Sequence, residues 1–360
     1  MPRESQPSIT QPRSNFSRRR AFTTAQVFAG LLAVLVVWFA GKIFLIGFGG
    51  VLLAVFLSTL ARWLSGLSSL SYGGALAVVV TVFVALAGAV FWLIGSTLAN
   101  QANEFSQAVP RSLKQIRVYL EQYQFGQWIL EQSPEWGRAI AQGNLPSRIT
   151  DLASSIVDFL LTLVIMMFVG LYCAAEPQVY TDGLLHLVPL DKRQRAKEVL
   201  TALGYNLRWW MLGQIFAMIC VGLITGVGLW IVDAPLALAL GLLAAVLEII
   251  PSVGPVLWLV PAVLVALTQG ETQVIHVVII YAVTHAIESH ILIPLVQRRA
   301  VFLPPTLSVL AVVLLGLLAG VLGLVVAAPI ALVAMLLVKM LYVEDRLGDH
   351  TVRVPGEPAH

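Results

Sequence analysis

Charge is what this sequence has least of. Of its 360 residues only 11% are Asp, Glu, Lys or Arg, against about 25% in ordinary soluble domains. No charged residue occurs between Arg62 and Glu104 or between Arg299 and Lys339, and no Lys or Arg between Arg208 and Arg298. A water-soluble helix keeps a polar stripe on its outer face, and these blocks keep almost none. Their length fits a bilayer crossing, which takes about 20 apolar residues. With 58% hydrophobic residues and a mean hydropathy of +0.87, the chain is expected to be all-α: a polytopic transmembrane helical bundle in the cell membrane.

Other absences narrow the function. There are two cysteines, Cys173 and Cys220; both lie in or beside apolar segments, which argues for small embedded hydrophobes rather than a disulfide or a metal-thiolate pair. The net charge of +3 comes without a Lys/Arg stripe interleaved with aromatics, so no nucleic-acid partner is expected. No phosphate-binding loop, HExxH pair or GxSxG elbow is present. Gly226-Val227-Gly228 lacks the third glycine and the preceding strand of a nucleotide site. No enzyme activity, metal or cofactor is therefore expected; the partners are the lipid bilayer and a small-molecule or ion solute.

The organisation follows from where polar residues collect. Residues 1–23 are polar and basic, ending in Arg18-Arg19-Arg20, and are expected to be a disordered cytoplasmic tail. Residues 24–99 hold three spans, about 25–46, 48–64 and 73–99, with a turn near Lys42 and Gly47–Gly50. Residues 100–148 form an extracytoplasmic amphipathic region in which Val109, Leu113, Ile116 and Leu120 recur at helical spacing behind Pro110. Trp128 and Trp136 suit the membrane surface. This region is either a cap over the spans or a vestibule for solute. Residues 149–345 form the transport core, opening with a span at 150–173; residues 346–360 are a second cytoplasmic tail. Lys192, Arg193, Arg195 and Lys197 mark a cytoplasmic connection, followed by an amphipathic run to Leu207 and a fifth span at 209–232.

Two apolar segments, 235–269 and 302–341, are too long for one straight crossing of a core about 30 Å thick. The first is broken at Pro251-Ser252-Val253-Gly254-Pro255 and the second at Gly320, Gly323 and Pro329. Proline removes a backbone donor and glycine frees the chain to reverse. Backbone groups released this way cannot face lipid, and paired breaks of this kind mark the solute site of many transporters. Each segment is either a re-entrant hairpin or a single kinked span. Hairpins put Arg298 and Arg299 inside, as the positive-inside tendency prefers, and both arrangements leave the C-terminus cytoplasmic.

Ionisable groups at membrane depth are costly and mark solute or ion pathways. Glu248 stands one turn before the first break, placed to bind a cation, exchange a proton, or cap the freed amides of Val253 and Gly254. His285 and Glu288 are three apart on one helical face, either a pair that shifts its protonation or a packing pair. His290 points elsewhere, which disfavours a His-Glu-His metal site. Asp158 is expected near the outer surface and His276 at the interface. Asn206, Arg208 and Gln214 suggest a cytoplasmic gate, although Arg208-Trp209-Trp210 equally suits an interfacial anchor.

Leu247-Glu248-Ile249-Ile250-Pro251-Ser252-Val253-Gly254-Pro255 resembles the E-x-I-P-x-x-G-P signature of the AI-2E family of permeases, which includes autoinducer-2 exporters. Gly213-Gln214, Asp233-Ala234-Pro235-Leu236-Ala237-Leu238, Glu288 through Pro294, and Gly316 through Pro329 resemble further elements of that family, in its order. The resemblance covers about residues 25–345. Arg298-Arg299 and Phe302 depart from it, standing where members often carry Gly-Arg and Gly-Leu. It implies an oligomeric, multi-span permease. The site expected along the solute or ion pathway is Glu248, Pro251, Gly254, Pro255, His285, Glu288, Pro294, Gly320, Gly323 and Pro329. The leading reading is export by alternating access, with coupling to a proton or cation gradient through Glu248 or Glu288; a passive channel and a membrane scaffold are the competing ones.

Overall fold

The structure is a computed structural model, described for residues 16–90, 92–93, 161–251, 253–297, 303–349 and 354–356. The amphipathic region 100–148, Asp158, Ser252, Arg298, Arg299 and Phe302 lie outside the described residues. All regular elements among the described residues are helical. The chain divides at Leu45/Ile46 into two units, and the packing described below is that of the second.

Helix α1 (Phe16–Leu67) contributes the span Gly41–Leu67, and α2 is Tyr72–Val90. Lys42 and Gly47–Gly50 were expected at a turn, but they lie within α1. Gly49 and Gly50 serve packing instead. Gly50 lies against Val169, and Gly170 of the next helix approaches the Gly50 carbonyl so closely that a Cβ on Gly170 would sit 3.0 Å from it. Missing side chains let the two backbones meet, the usual device where no hydrophobic force draws helices together.

That next helix, α3 (Leu161–Ala175), bends by 85° into α4 (Pro177–His186). The Tyr72 hydroxyl donates to the Ala174 carbonyl at 2.6 Å and fixes α2 beside it. Pro177, Pro255 and Pro305 each stand in the first turn of a helix, where a missing N–H costs nothing. A short 3₁₀ turn, Leu190–Lys192, then leads into α5 (Arg193–Ile231), which fuses the expected surface helix and fifth span into one rod.

The first broken segment is a hairpin. Helices α6 (Ala237–Leu247) and α7 (Gly254–Leu267) are about 16 and 21 Å long, too short to cross alone. Its two ends meet: Gln273 at the start of α8 (Glu271–Ile287) donates to the Val232 carbonyl at the end of α5, 2.9 Å away. A segment that leaves and returns to one hydrogen bond has not crossed. Helix α6 runs antiparallel along α5, with Gly222 against Ala245 and Gly226 against Gly241.

The second broken segment also reverses. Helix α9 is the short Ile293–Gln297, and α10 (Pro305–Leu337) is interrupted at Gly320, whose φ of 61° and ψ of −139° are non-helical. Eight residues of straight helix rise about 12 Å, yet a Cβ on Gly323 would collide with the Leu315 carbonyl. The chain therefore folds back at Gly320. The returning leg is held to the beginning of α5, where Arg195 pairs with Glu344 at 2.7 Å. The two hairpins open toward opposite ends of α5.

Candidate functional site

The hairpins converge on one place. At the tip of the first, Ile249, Ile250 and Val253 pack on Val312, Leu315, Leu324 and Ala327 of the second. The contact is apolar on both sides and Ile250 is buried.

Glu248 lies directly behind this contact. It is 2% exposed, and its Oε2 has no hydrogen-bond partner among the described residues. Gln214 of α5 donates to its backbone carbonyl at 2.5 Å, which ties the hairpin tip to the α5 rod. The Gly254 amide donates to the Ile250 carbonyl at 2.8 Å. The break is thus closed by backbone, and the carboxylate is not spent on capping the Gly254 amide.

The neighbour of the Glu248 carboxyl is Glu288, itself 8% exposed. Two acidic groups, from the hairpin tip and from the end of α8, are brought together out of water. His285 Nδ1 lies 3.2 Å from Glu288 Oε2, so the spaced pair is a real contact, and His285 is half-exposed while Glu288 is not. The imidazole stacks on Tyr281, with ring centroids 5.9 Å apart, and Tyr281 leans on the buried Trp258 of α7. His290 turns to the Ala286 carbonyl instead.

Glu288 begins a π-turn, Glu288–Leu292, in which the Ile293 N–H reaches back five residues to the Glu288 carbonyl. Pro294 supplies the cause: its ring clashes with the carbonyl four residues earlier and widens the helix there. Such turns are frequent at functional sites.

The remaining expected residues fall into two groups. Pro251, Gly254 and Pro255 form the first tip; a Cβ on Gly254 would strike the Leu247 carbonyl. Gly320 and Gly323 form the second reversal, and Pro329 is buried in its returning leg. The gate reading of Asn206 and Gln214 divides in the same way. Gln214 reaches the site, whereas Asn206 donates to the Pro355 carbonyl at 2.7 Å.

Sequence reasoning passed over two threonines. Thr225 and Thr284 each bury a hydroxyl oxygen that has no hydrogen-bond partner among the described residues. Their apolar-looking segments hid them, since a threonine in a membrane helix is read as a small β-branched filler. Gly226, expected inside a span, lies in α5 and forms half of the α5–α6 seam.

The match to the sequence model of the AI-2E family of transporters runs over residues 28–342, nearly the whole chain and both hairpins. The chain belongs to the AI-2E family. Its resemblance to curated proteins agrees with this. YueF of Bacillus subtilis strain 168, provisionally named a transport protein, is 24% identical over 262 residues, 69% of this chain and 71% of its own. A Mycobacterium tuberculosis protein with the same kind of name is 28% identical over 302 residues, 78% of each chain. YrrI of Bacillus subtilis, likewise named, is 29% identical over 175 residues, 49% of this chain, and the match spans only 50% of that relative's length. This AI-2E member is a multi-pass membrane permease, with five helical runs long and apolar enough to cross a bilayer among the described residues; the last of them reverses at Gly320.

Proposed function

We propose that the protein exports a small organic solute or ion by alternating access around the two opposed hairpins, coupled to a proton or cation gradient, and that it is a transporter rather than an enzyme. The observation that carries this reading is the meeting of Glu248 with Glu288 behind the contact between hairpins. Two carboxylates out of water cannot both stay charged without compensation. The pair holds a proton or a cation between them, and exchanging that proton or cation is the elementary step of coupling. His285, exposed on one side and in contact with Glu288 on the other, would pass protons between water and the pair.

The apolar hairpin contact favours a moving gate over a static pore, because a permanently open channel would leave these residues wet. The pathway comprises the tip residues Pro251, Gly254 and Pro255, the pair Glu248 and Glu288 with His285 and Pro294, and the second reversal at Gly320, Gly323 and Pro329. We place the C-terminus in the cytoplasm on the strength of the basic cluster Lys192–Lys197, and infer a homo-oligomer from the family.

Reconstitution into proteoliposomes, with a panel of organic anions, amines and alkali cations offered with and without a pH gradient, tests the reading. Gradient-coupled movement of one of them is expected in the parent and at least about tenfold less in Glu248→Gln, the loss typical of an essential proton-transfer group. Unchanged transport with unchanged pH dependence in Glu248→Gln overturns the site. Saturation-free flux indifferent to the gradient indicates a channel, and no flux of any solute leaves the scaffold.

A further inference from the structure

Arg195, at the start of α5, is the hub of a network outside the carboxylate site. Its guanidinium meets Glu198 at 3.3 Å, Glu344 at 2.7 Å and Asp345 at 3.0 Å, and also donates to the Met340 carbonyl at 3.3 Å. Met340, Glu344 and Asp345 all follow directly on the returning leg of the second hairpin. Farther along, the chain docks on α5 again. Val354 is buried, the buried Asn206 amide holds the Pro355 carbonyl, and Gly356 lies so close to Tyr205 that a Cβ there would sit 2.6 Å from the ring. Gly356 has a φ of 86°, which lets the chain make this approach.

The same rod holds the first hairpin, through Gln214 and the Gly222/Gly226 seam. The second hairpin is tied to it at the other end by Arg195 and the docked segment. We propose that residues 340–349 together with 354–356 are a latch: docked on the 195–206 face of α5, they hold the second hairpin against the first, and their release frees the tips to part. This rests on the reading of the hairpins as the pathway. Ion pairs suit the task because this network is partly exposed, so added salt or a competing charge can loosen it.

The test reads the hairpin contact without needing a transported solute. In a Cys173→Ser, Cys220→Ala background, Ile250→Cys reports the tip and Val354→Cys the docked segment, each by its rate of reaction with a water-soluble maleimide in proteoliposomes. Both are expected to react slowly. Adding Arg195→Gln, or separately Gly356→Val to obstruct docking at Tyr205, is expected to speed both by roughly fivefold or more, the lower end of coupling between linked sites. Arg195→Lys, which keeps the charge, is expected to stay nearer the parent. If Arg195→Gln and Gly356→Val run as intact protein on gel filtration, expose position 354 and leave position 250 slow, docking occurs but does not latch, and the proposal fails. Fast reaction at position 354 in the parent overturns the docking itself. Should Glu248→Gln leave transport unaltered while labelling still responds to Arg195→Gln, the carboxylate pathway falls and the latch stands.

Discussion

At the scale of single residues, this protein places polar groups where a membrane helix bundle can least afford them and satisfies only some. Gln214 is the clearest case of one satisfied. Its amide holds the Glu248 carbonyl, a backbone acceptor beside the helix break. Gln214→Leu removes the donor but not the acceptor, and leaving a buried acceptor unpaired costs about 1–3 kcal/mol. A lower melting temperature in detergent is expected, together with reduced transport, because the same bond positions the hairpin tip. A melting temperature equal to the parent's would show that the carbonyl finds another partner. Glu248 and Glu288 should also behave as one unit. Glu248→Gln and Glu288→Gln are expected to lower gradient-coupled transport to similar extents, with the double variant little worse than either, since groups acting together are non-additive. Additive losses in the rate would mean two independent roles.

Elements in this fold approach one another through absent side chains. Between α5 and α6, a Cβ on Gly241 would stand 2.5 Å from the Gly226 Cα and 3.0 Å from the Gly222 carbonyl. Those neighbours are backbone and cannot step aside. Gly241→Ala is therefore expected to destabilise by about 1–3 kcal/mol through overpacking, read as a drop in melting temperature. Gly66, also helical but with nothing within 4 Å of its would-be Cβ, provides the contrast. Gly66→Ala should be neutral or stabilise by up to about 1 kcal/mol, because alanine is the better helix former. Equal responses of the two variants would show that the seam does not constrain the helices. Gly49 and Gly50 teach the same lesson. Read along the chain, a glycine cluster beside a lysine looks like a turn; only the facing Met166 and Val169 of α3 show that it is a docking face on a continuous helix.

At the scale of the whole second unit, the two hairpins open toward opposite ends of α5. Between Gln214 and Val232 the rod rises by 18 residues (232 − 214), or about 27 Å, close to the roughly 30 Å of a bilayer's hydrocarbon core. Gln269, at the mouth of the first hairpin, and Arg346, beyond the second, are both exposed and each can be replaced by a single cysteine. The two cysteines are expected to react with an impermeant maleimide from opposite sides of the membrane. Labelling of both from one side would refute the opposed arrangement.

The sequence by itself determined the class, the family and the chemistry available. The scarcity of charge requires a bilayer, and Glu248-Ile249-Ile250-Pro251 with Gly254-Pro255 places a helix break beside a carboxylate. These are local properties, legible because backbone geometry and desolvation act on neighbours in the chain. Whether each broken segment crosses or returns was left open, because proline and glycine permit a reversal without imposing one. Only the tertiary structure decided it, through the Gln273 bond to Val232 and the contact of Gly323 with Leu315. It also decided that Glu248 faces Glu288, forty residues away (288 − 248). No periodicity records that meeting, since it depends on how two hairpins and a rod pack together.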